Sequence, residues 1–259
     1  MLCKNLNCEV IRVYSRDEFK QKHSFQAKHI RYILGDVRDK ERLDMAMDDI
    51  DIIIHCAALK QIDTGEYNPF EFVKTNVNGT QNVIDCALAH NIEQVLLIST
   101  DKAVNPVNLY GATKLCAEKL ITAANNYRGH KRTIFKYVRY GNVWGSRGSV
   151  LDTWVDGSFD IRDRKATRYH ITLELALMLI QTALTKDRIQ TLPENLNAYN
   201  LGDLADVFYN LTKIDPHDTA LLPGEKLHET LDGISYSNEA PLLTQEELER
   251  LVSDYLNQL

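Results

Sequence analysis

At 259 residues, 44% hydrophobic and 25% charged, the chain has the composition of a globular protein with length enough for a full core. A net charge of -6 with no basic run argues against nucleic acid as a partner, and neither a signal peptide nor an apolar stretch of membrane-spanning length is seen. Its five cysteines, Cys3, Cys8, Cys56, Cys86 and Cys116, are scattered without a Cys-x-x-Cys, which argues against a disulfide framework or zinc site and fits a reducing cytoplasm.

In chain order, apolar runs predict strands at residues 9–14, 30–34, 50–55, 95–99 and 133–139. Helical periodicity falls between them at 38–47, 69–90 and 109–126. Strands that alternate with helices imply a parallel sheet covered on both faces, an α/β fold. No internal repeat or low-complexity segment interrupts the alternation. His55, His170 and His228 are too dispersed to mark a metal site.

The segment VLLISTDKAVNPVNLYGATK, residues 95–114, concentrates the reactive groups. Its opening apolar run reads as a strand buried on both faces. Thr100, Asp101 and Lys102 then stand at the carboxyl end of that strand, the edge where open α/β sheets bind ligands. Asn105 and Pro106 turn the chain. From Leu109 a helix places Tyr110 and Lys114 four apart on one face. An ammonium near a phenol favours the phenolate, drawing a pKa of about 10 toward the range of a general base. Tyr-x-x-x-Lys alone also marks ordinary solvated helix faces; here Ser99 and Thr100 add hydroxyls just upstream, after a strand.

With those hydroxyls the segment resembles the site of an extended short-chain dehydrogenase/reductase. More closely, the chain resembles the CapD-like polysaccharide-biosynthesis family, which contains the inverting UDP-N-acetylglucosamine 4,6-dehydratases. The resemblance covers nearly the whole chain. It is carried by VYSRDEFKQ at 13–21, GDVRD at 35–39, HCAALKQ at 55–61, EYNPFEFVKTNVNGTQNV at 66–83, STDKAVNPVNLYGATK at 99–114, RYGNVWGSRGSV at 139–150 and GEKLHE at 224–229. It implies a Rossmann-like doubly wound parallel sheet over 1–148, a smaller substrate-binding region over 149–259, and assembly as a homo-oligomer in the cytoplasm.

A dinucleotide fold begins with a strand and a glycine-rich turn that holds the pyrophosphate at a helix N-terminus. Measured against the family, residues 1–7 correspond to the tail of the first helix and 9–14 to the second strand, so the fold is expected to be N-terminally truncated. Gly141, Gly145 and Gly148 follow a strand, but their spacing is wrong and they match the family's substrate-side motifs. Either the sequence is cut short or orthodox cofactor binding has been lost. The rest of a cofactor site is implied by resemblance. Ser15 and Arg16 match the adenosine-ribose position, where an arginine can pair with a 2′-phosphate, which favours NADP with NAD as the alternative. Asp17 comes too late for that role and is expected to cap a helix. Asp36 and Val37 match the pair that flanks the adenine, Ala57 and Ala58 are small enough to let the cofactor pass, and Lys60 follows on the same edge. Asn76 is expected to hydrogen-bond structurally.

The resemblance also implies a reaction. Tyr110, its phenolate favoured by Lys114, takes the 4-hydroxyl proton of the sugar while hydride passes from C4 to NADP, and Thr100 orients the 4-oxygen. The ketone acidifies C5, Lys102 takes the C5 proton, Asp101 serves the leaving 6-oxygen, and hydride returns to C6. A lysine after the aspartate, in place of Asp-Glu, points to the inverting class. Asn142, Arg147, Ser149, Arg168, Glu225 and Lys226 match positions around a UDP-sugar substrate, with arginine suited to phosphate oxygens. Two other readings accompany this one: a UDP-sugar 4-epimerase, and a cofactor-deficient relative with a binding or oligomer-forming role.

Overall fold

The computed structural model describes residues 8–259. Two strands rich in branched residues, β1 (Ile11–Ser15) and β2 (Ile30–Leu34), pair in parallel with Ile11 opposite Ile30 and Ser15 opposite Leu34. Between them lies α1 (Glu18–His23), capped by Asp17, whose side chain accepts from the Lys20 amide at 2.9 Å. Asp39 caps α2 (Lys40–Ala46) in the same way. These caps satisfy amide donors that the first turn of a helix leaves free.

A second parallel sheet has the order β3-β4-β5-β8, from Ile52–His55, Gln94–Ile98, Ile134–Val138 and Gln190–Thr191. Its strands follow period two. Val95 and Leu97 of β4 pack with Phe135 and Tyr137 of β5 on one face, against α5 (Gly79–Ala89) and α6 (Leu109–Tyr127). Leu96 and Val138 face the other way, against Ile180, Ala183 and Leu184 of α8 (Leu173–Thr185). Helices on both faces explain why residues 95–98 read as one apolar run. Lys136, alone among apolar neighbours on β5, sends its Nζ to the Lys186 carbonyl at 2.8 Å and the Ala183 carbonyl at 3.3 Å. There it places a cation at the C-terminal end of α8.

The two sheets are not hydrogen-bonded to each other. In the doubly wound order 3-2-1-4-5-6, β2 and β1 fill positions 3-2, β3, β4 and β5 fill 4-5-6 with β8 added beyond them, and the strand of position 1 is not among the described residues. The packing reflects this: Ile52, Ile53 and Ile54 of β3 are half-buried, whereas Val95, Leu96 and Leu97 of β4 are fully enclosed.

The helix expected over 69–90 is three pieces: α4 (Pro69–Phe72), a π-helical turn (Val73–Asn78) and α5. The π turn includes Asn76, which grips both the amide and the carbonyl of Leu59, at 2.8 and 2.9 Å, and the hydroxyl of Thr113 at 3.0 Å. One side chain thus ties the loop after β3, which carries Ala57 and Ala58, to α6. α3 (Ile62–Tyr67) follows that loop.

Beyond residue 150 a separate core gathers α7 (Val150–Val155), β6 (Asp160–Ile161), α9 (Leu201–Thr212) and α10 (Gln245–Leu256) around Trp154, Phe159 and Phe208. β7 (Thr167–Tyr169) pairs antiparallel with β9 (Ala198–Asn200), and β10 (His217–Asp218) pairs with β6. The chain does not divide cleanly at 148, because α8 and β8 return to the first core. No helix among the described residues is long and apolar enough to cross a membrane.

Candidate active site

The site forms where β4 and β5 end. Ser99 lines the cleft, and its hydroxyl donates to Glu118 of α6 at 2.5 Å. Glu118 in turn takes a forked pair of bonds from Arg139 at 2.7 and 2.6 Å, and Arg139 donates to the Leu231 carbonyl at 3.0 Å. This buried lattice clamps the end of β4 to α6 and to the C-terminal region. Thr100 then starts a single 3-10 turn, Asp101–Ala103, accepting from the Lys102 amide and donating to Asp101 Oδ1 at 2.9 Å.

Asp101 lies beneath the surface, 1% exposed. Lys102 Nζ reaches Asp101 Oδ1 at 3.1 Å, Asn142 Oδ1 at 3.0 Å and, at ion-pair distance, Glu229 Oε1 at 3.6 Å. Burial and the nearby Glu229 push the Asp101 carboxyl up, opposing the pull of Lys102. Burial pulls the Lys102 ammonium down, but Asp101 and Glu229 outweigh it and hold the lysine charged.

The first turn of α6 packs against this loop. A Cβ on Gly111 would stand 2.1 Å from the Lys102 carbonyl, so only glycine permits the approach. Asn108 caps the helix through the Gly111 amide at 2.7 Å and donates to the Gly224 carbonyl at 2.7 Å. Tyr110 and Lys114 share a face, as their spacing predicts. Lys114 Nζ donates to the Ile98 carbonyl at 2.7 Å, and burial lowers its pKa to about 8. Tyr110 is raised by burial, and what opposes the rise is the charge of Lys102 and a hydrogen bond with Thr100. Lys102 is thus a cation that acts on the phenol.

These groups open onto a cleft of 660 Å³ lined by Thr100, Lys102, Tyr110 and Lys114. Asn142, Ser149, Arg168 and Glu225 line its other side, and Ala58 and Lys60 its edge. The cleft thus brings together residues from the motifs at 55–61, 99–114, 139–150 and 224–229, and none from those at 13–21, 35–39 and 66–83. Ser149 Oγ is buried there with no hydrogen-bond partner among the described residues. Arg147 lends only its carbonyl, which accepts from Lys60 Nζ at 3.0 Å. Glu225 accepts from the Leu222 amide at 3.0 Å. Lys226 turns away from the cleft to the Val104 carbonyl and, at 3.6 Å, to Glu229.

Ser15, Arg16, Asp36 and Val37 form a second cluster at the ends of β1 and β2. Arg38 donates from its guanidinium to Asp36 Oδ2 at 2.9 and 2.7 Å and from its backbone amide to Asp36 Oδ1 at 3.0 Å. Burial raises that carboxyl, yet the Arg38 bonds prevail and keep it low. Arg16 is exposed and reaches Asp36 only at 3.5 Å. Val37 is buried beneath α5, its carbonyl accepting from Asn82 at 2.9 Å. No group of three or more metal-ligating side chains occurs among the described residues.

Sequence reasoning missed Glu229, Glu118 and Arg139. Two of them stand in quoted motifs, GEKLHE and RYGNV, but no local period singles them out. Their partners come from distant segments.

A doubly wound sheet with a Thr-Asp-Lys turn facing a Tyr-x-x-x-Lys helix defines an extended short-chain dehydrogenase/reductase. The family model for polysaccharide biosynthesis protein matches residues 1–245, and the chain belongs to that family. It is 50% identical over 183 residues to the UDP-N-acetylglucosamine 4,6-dehydratase (inverting) of Campylobacter jejuni subsp. jejuni serotype O:23/36 (strain 81-176), covering 67% of this chain and 55% of that protein. To the protein of the same name from Campylobacter jejuni subsp. jejuni serotype O:2 (strain ATCC 700819 / NCTC 11168) it is 42% identical over 251 residues, covering 89% of this chain and 72% of the other. A UDP-glucose 4-epimerase of Rickettsia canadensis (strain McKiel) is 35% identical over 234 residues, 85% of this chain and 68% of that one. Among solved structures, Pen from Bacillus thuringiensis superposes with a TM-score of 0.87 at 32% identity, covering 98% of this chain and 93% of Pen. The dTDP-glucose 4,6-dehydratase DesIV from Streptomyces venezuelae, solved with NAD and TYD bound, shares the fold at a TM-score of 0.79 and 19% identity, covering 96% and 88% of the two chains.

Proposed function

We propose that the cleft is the site of an inverting 4,6-dehydratase acting on UDP-N-acetylglucosamine or a related UDP-hexosamine, in the synthesis of a surface glycan. The observation that carries this is the Asp101–Lys102 pair: a buried acid and an amine, adjacent, on the same turn as a hydroxyl that reaches Tyr110.

A nicotinamide cofactor, when bound, supplies the oxidation at C4 and its reversal at C6. The residues present fit its two ends. Tyr110, Lys114 and Ala58 share the cleft wall at one end, and Ser15 with the exposed guanidinium of Arg16 offers partners for a ribose 2′-phosphate at the other, which favours NADP. A glycine turn for the pyrophosphate is not among the described residues. Assembly as a homo-oligomer belongs to the same proposal and rests on the resemblance.

The chain's own side chains account for the protons. Tyr110 takes the proton of the 4-hydroxyl, with Thr100 orienting that oxygen. The ketone acidifies C5. If the Asp101–Lys102 pair shifts its proton to the carboxylate, Lys102 becomes an amine that takes the C5 proton, and Asp101 becomes the acid that protonates O6. The C5–H electrons form the C5–C6 double bond as the C6–O6 bond breaks and water leaves. A low dielectric favours the neutral pair, and elimination returns it to the ion pair. The proton from O4 replaces the one spent on O6, through the chain Tyr110–Thr100–Asp101; a proton from solvent reaches the opposite face of C5, which inverts it, and Lys102 releases its own to solvent.

Incubation with NADP and UDP-N-acetylglucosamine, read by NMR, is expected to give a 4-keto-6-deoxy product. Tyr110→Phe and Lys102→Ala are each expected to cut its rate about 10²–10⁴-fold. The second reading, favoured by the Rickettsia relative, is a 4-epimerase, and a 4-epimer as sole product would establish it in place of the first. No turnover together with no NADP binding in a titration would favour the cofactor-deficient reading.

A further inference from the structure

Glu229 is almost wholly enclosed, at 2% exposure, and only half satisfied. Its Oε1 stands 3.6 Å from Lys102 Nζ and its Oε2 3.6 Å from Lys226 Nζ, but Oε2 makes no hydrogen bond. A buried carboxylate is costly unless paired. This one is nonetheless built in with care. The Glu229 amide donates to Ser237 Oγ at 2.9 Å, and the Ser237 amide donates back to the Glu229 carbonyl at 2.8 Å. Ser237 Oγ lies 2.6 Å from Thr167 Oγ1 on β7, which also meets His228 Nδ1 at 2.8 Å. The backbone is therefore pinned so that the side chain enters the catalytic turn from the C-terminal region.

We propose that Glu229 is a positioning residue for the reaction set out above: it holds Lys102 from the side opposite the catalytic turn, whichever protonation state Asp101 is in. The inference rests on that reading of the cleft. Asp101 must gain and lose a proton in each cycle, and while it is protonated it no longer holds Lys102 by charge. A second carboxylate keeps Nζ in place. The charged and titratable groups facing Lys102 are Asp101 on its own turn, Glu229, Arg168 on β7, Tyr110 on α6, Tyr199 on β9 and Lys60 after β3. Those facing Glu229 are Lys102, Arg168, Lys226, Asp101 and Tyr169. Asp101 and Glu229 are the two carboxyl groups in the first set, so removing Glu229 leaves Lys102 with one acidic partner fewer against the repulsion of Arg168 and Lys60.

The test needs no turnover. Lysine labelled with ¹³C at Cε, with Lys102 assigned by its loss in Lys102→Arg, reports the titration of that amine in the full chain. Glu229→Gln is expected to raise the deprotonation constant of Lys102 about tenfold or more, the equivalent of one pKa unit. Glu229→Asp, which keeps the charge but withdraws it by one methylene, is expected to raise it by a smaller factor. An unchanged Lys102 titration in Glu229→Gln with an unchanged thermal midpoint would overturn the proposal. If Glu229→Gln does not fold, an unchanged titration in Glu229→Asp overturns it instead. A shifted titration in a chain that forms no product would leave the positioning role standing and remove the dehydratase reading.

Discussion

In the proposed reaction Thr100, Asp101 and Lys102 divide among themselves the tasks of a C4 oxidation and a C5–C6 elimination, and Thr100 Oγ1 and Lys102 Nζ both bond Asp101 Oδ1, at 2.9 and 3.1 Å. Lys114, four residues from Tyr110, donates from a buried position to the Ile98 carbonyl at the end of β4. At the same scale His55 offers a clean pH probe. It is buried at the end of β3, and its Nε2 lies 3.1 Å from Thr80 Oγ1. Thr80 donates its own hydrogen to the Asn76 carbonyl at 2.7 Å, so Nε2 must carry the proton and His55 is neutral. Burial, with the charge of Lys114, lowers its pKa from 6.5 to about 3. The unfolded chain therefore takes a proton near pH 6.5 that the folded chain refuses until about pH 3. Stability contributed by this group is present above pH 6.5 and is lost as pH falls through that window. Urea denaturation should show a loss approaching ~1.4 kcal/mol per pH unit that His55→Gln flattens; equal slopes in the two proteins would remove His55 as the cause.

Among the elements, α6 carries the site. It presents Tyr110, admits the catalytic turn through Gly111, and anchors β4 and β5 through Glu118. The Glu118–Arg139 pair is enclosed, with side-chain exposures of 2% and 11%, so its value lies in what its loss would strand. Arg139→Met is expected to cost about 3–5 kcal/mol by leaving Glu118 buried without its partner. The double variant Glu118→Met/Arg139→Met should recover part of that in urea denaturation. If the single variant costs nothing, the clamp is not structural. The elements themselves were legible in sequence where period decided them: β4 as an apolar run, α6 from its helical spacing. The break of the 69–90 helix was not, because a π turn around Asn76 answers to Leu59 and Thr113, which lie far away in the chain.

For the molecule as a whole, the site exists because two cores meet at one edge. Asn108 to Gly224, Lys226 to Val104, Arg139 to Leu231 and Lys102 to Glu229 all cross between the sheet and the C-terminal region. The motifs announced most cleft residues, since each motif keeps its own chemistry in a few adjacent positions. They could not announce which side chains would be consumed as struts. Arg38 takes Asp36, Ser99 takes Glu118, and Lys226 turns from substrate to Glu229, all through contacts that only folding creates. The account's central claim is that this edge eliminates water across C5 and C6 of a UDP-sugar. Running the reaction with UDP-N-acetylglucosamine and NADP in D₂O tests it directly. The account predicts a 4-keto-6-deoxy product with deuterium at C5 and an unlabelled C6 methyl group, read by NMR. A product epimerised at C4 that keeps its 6-hydroxyl and carries no deuterium would contradict it.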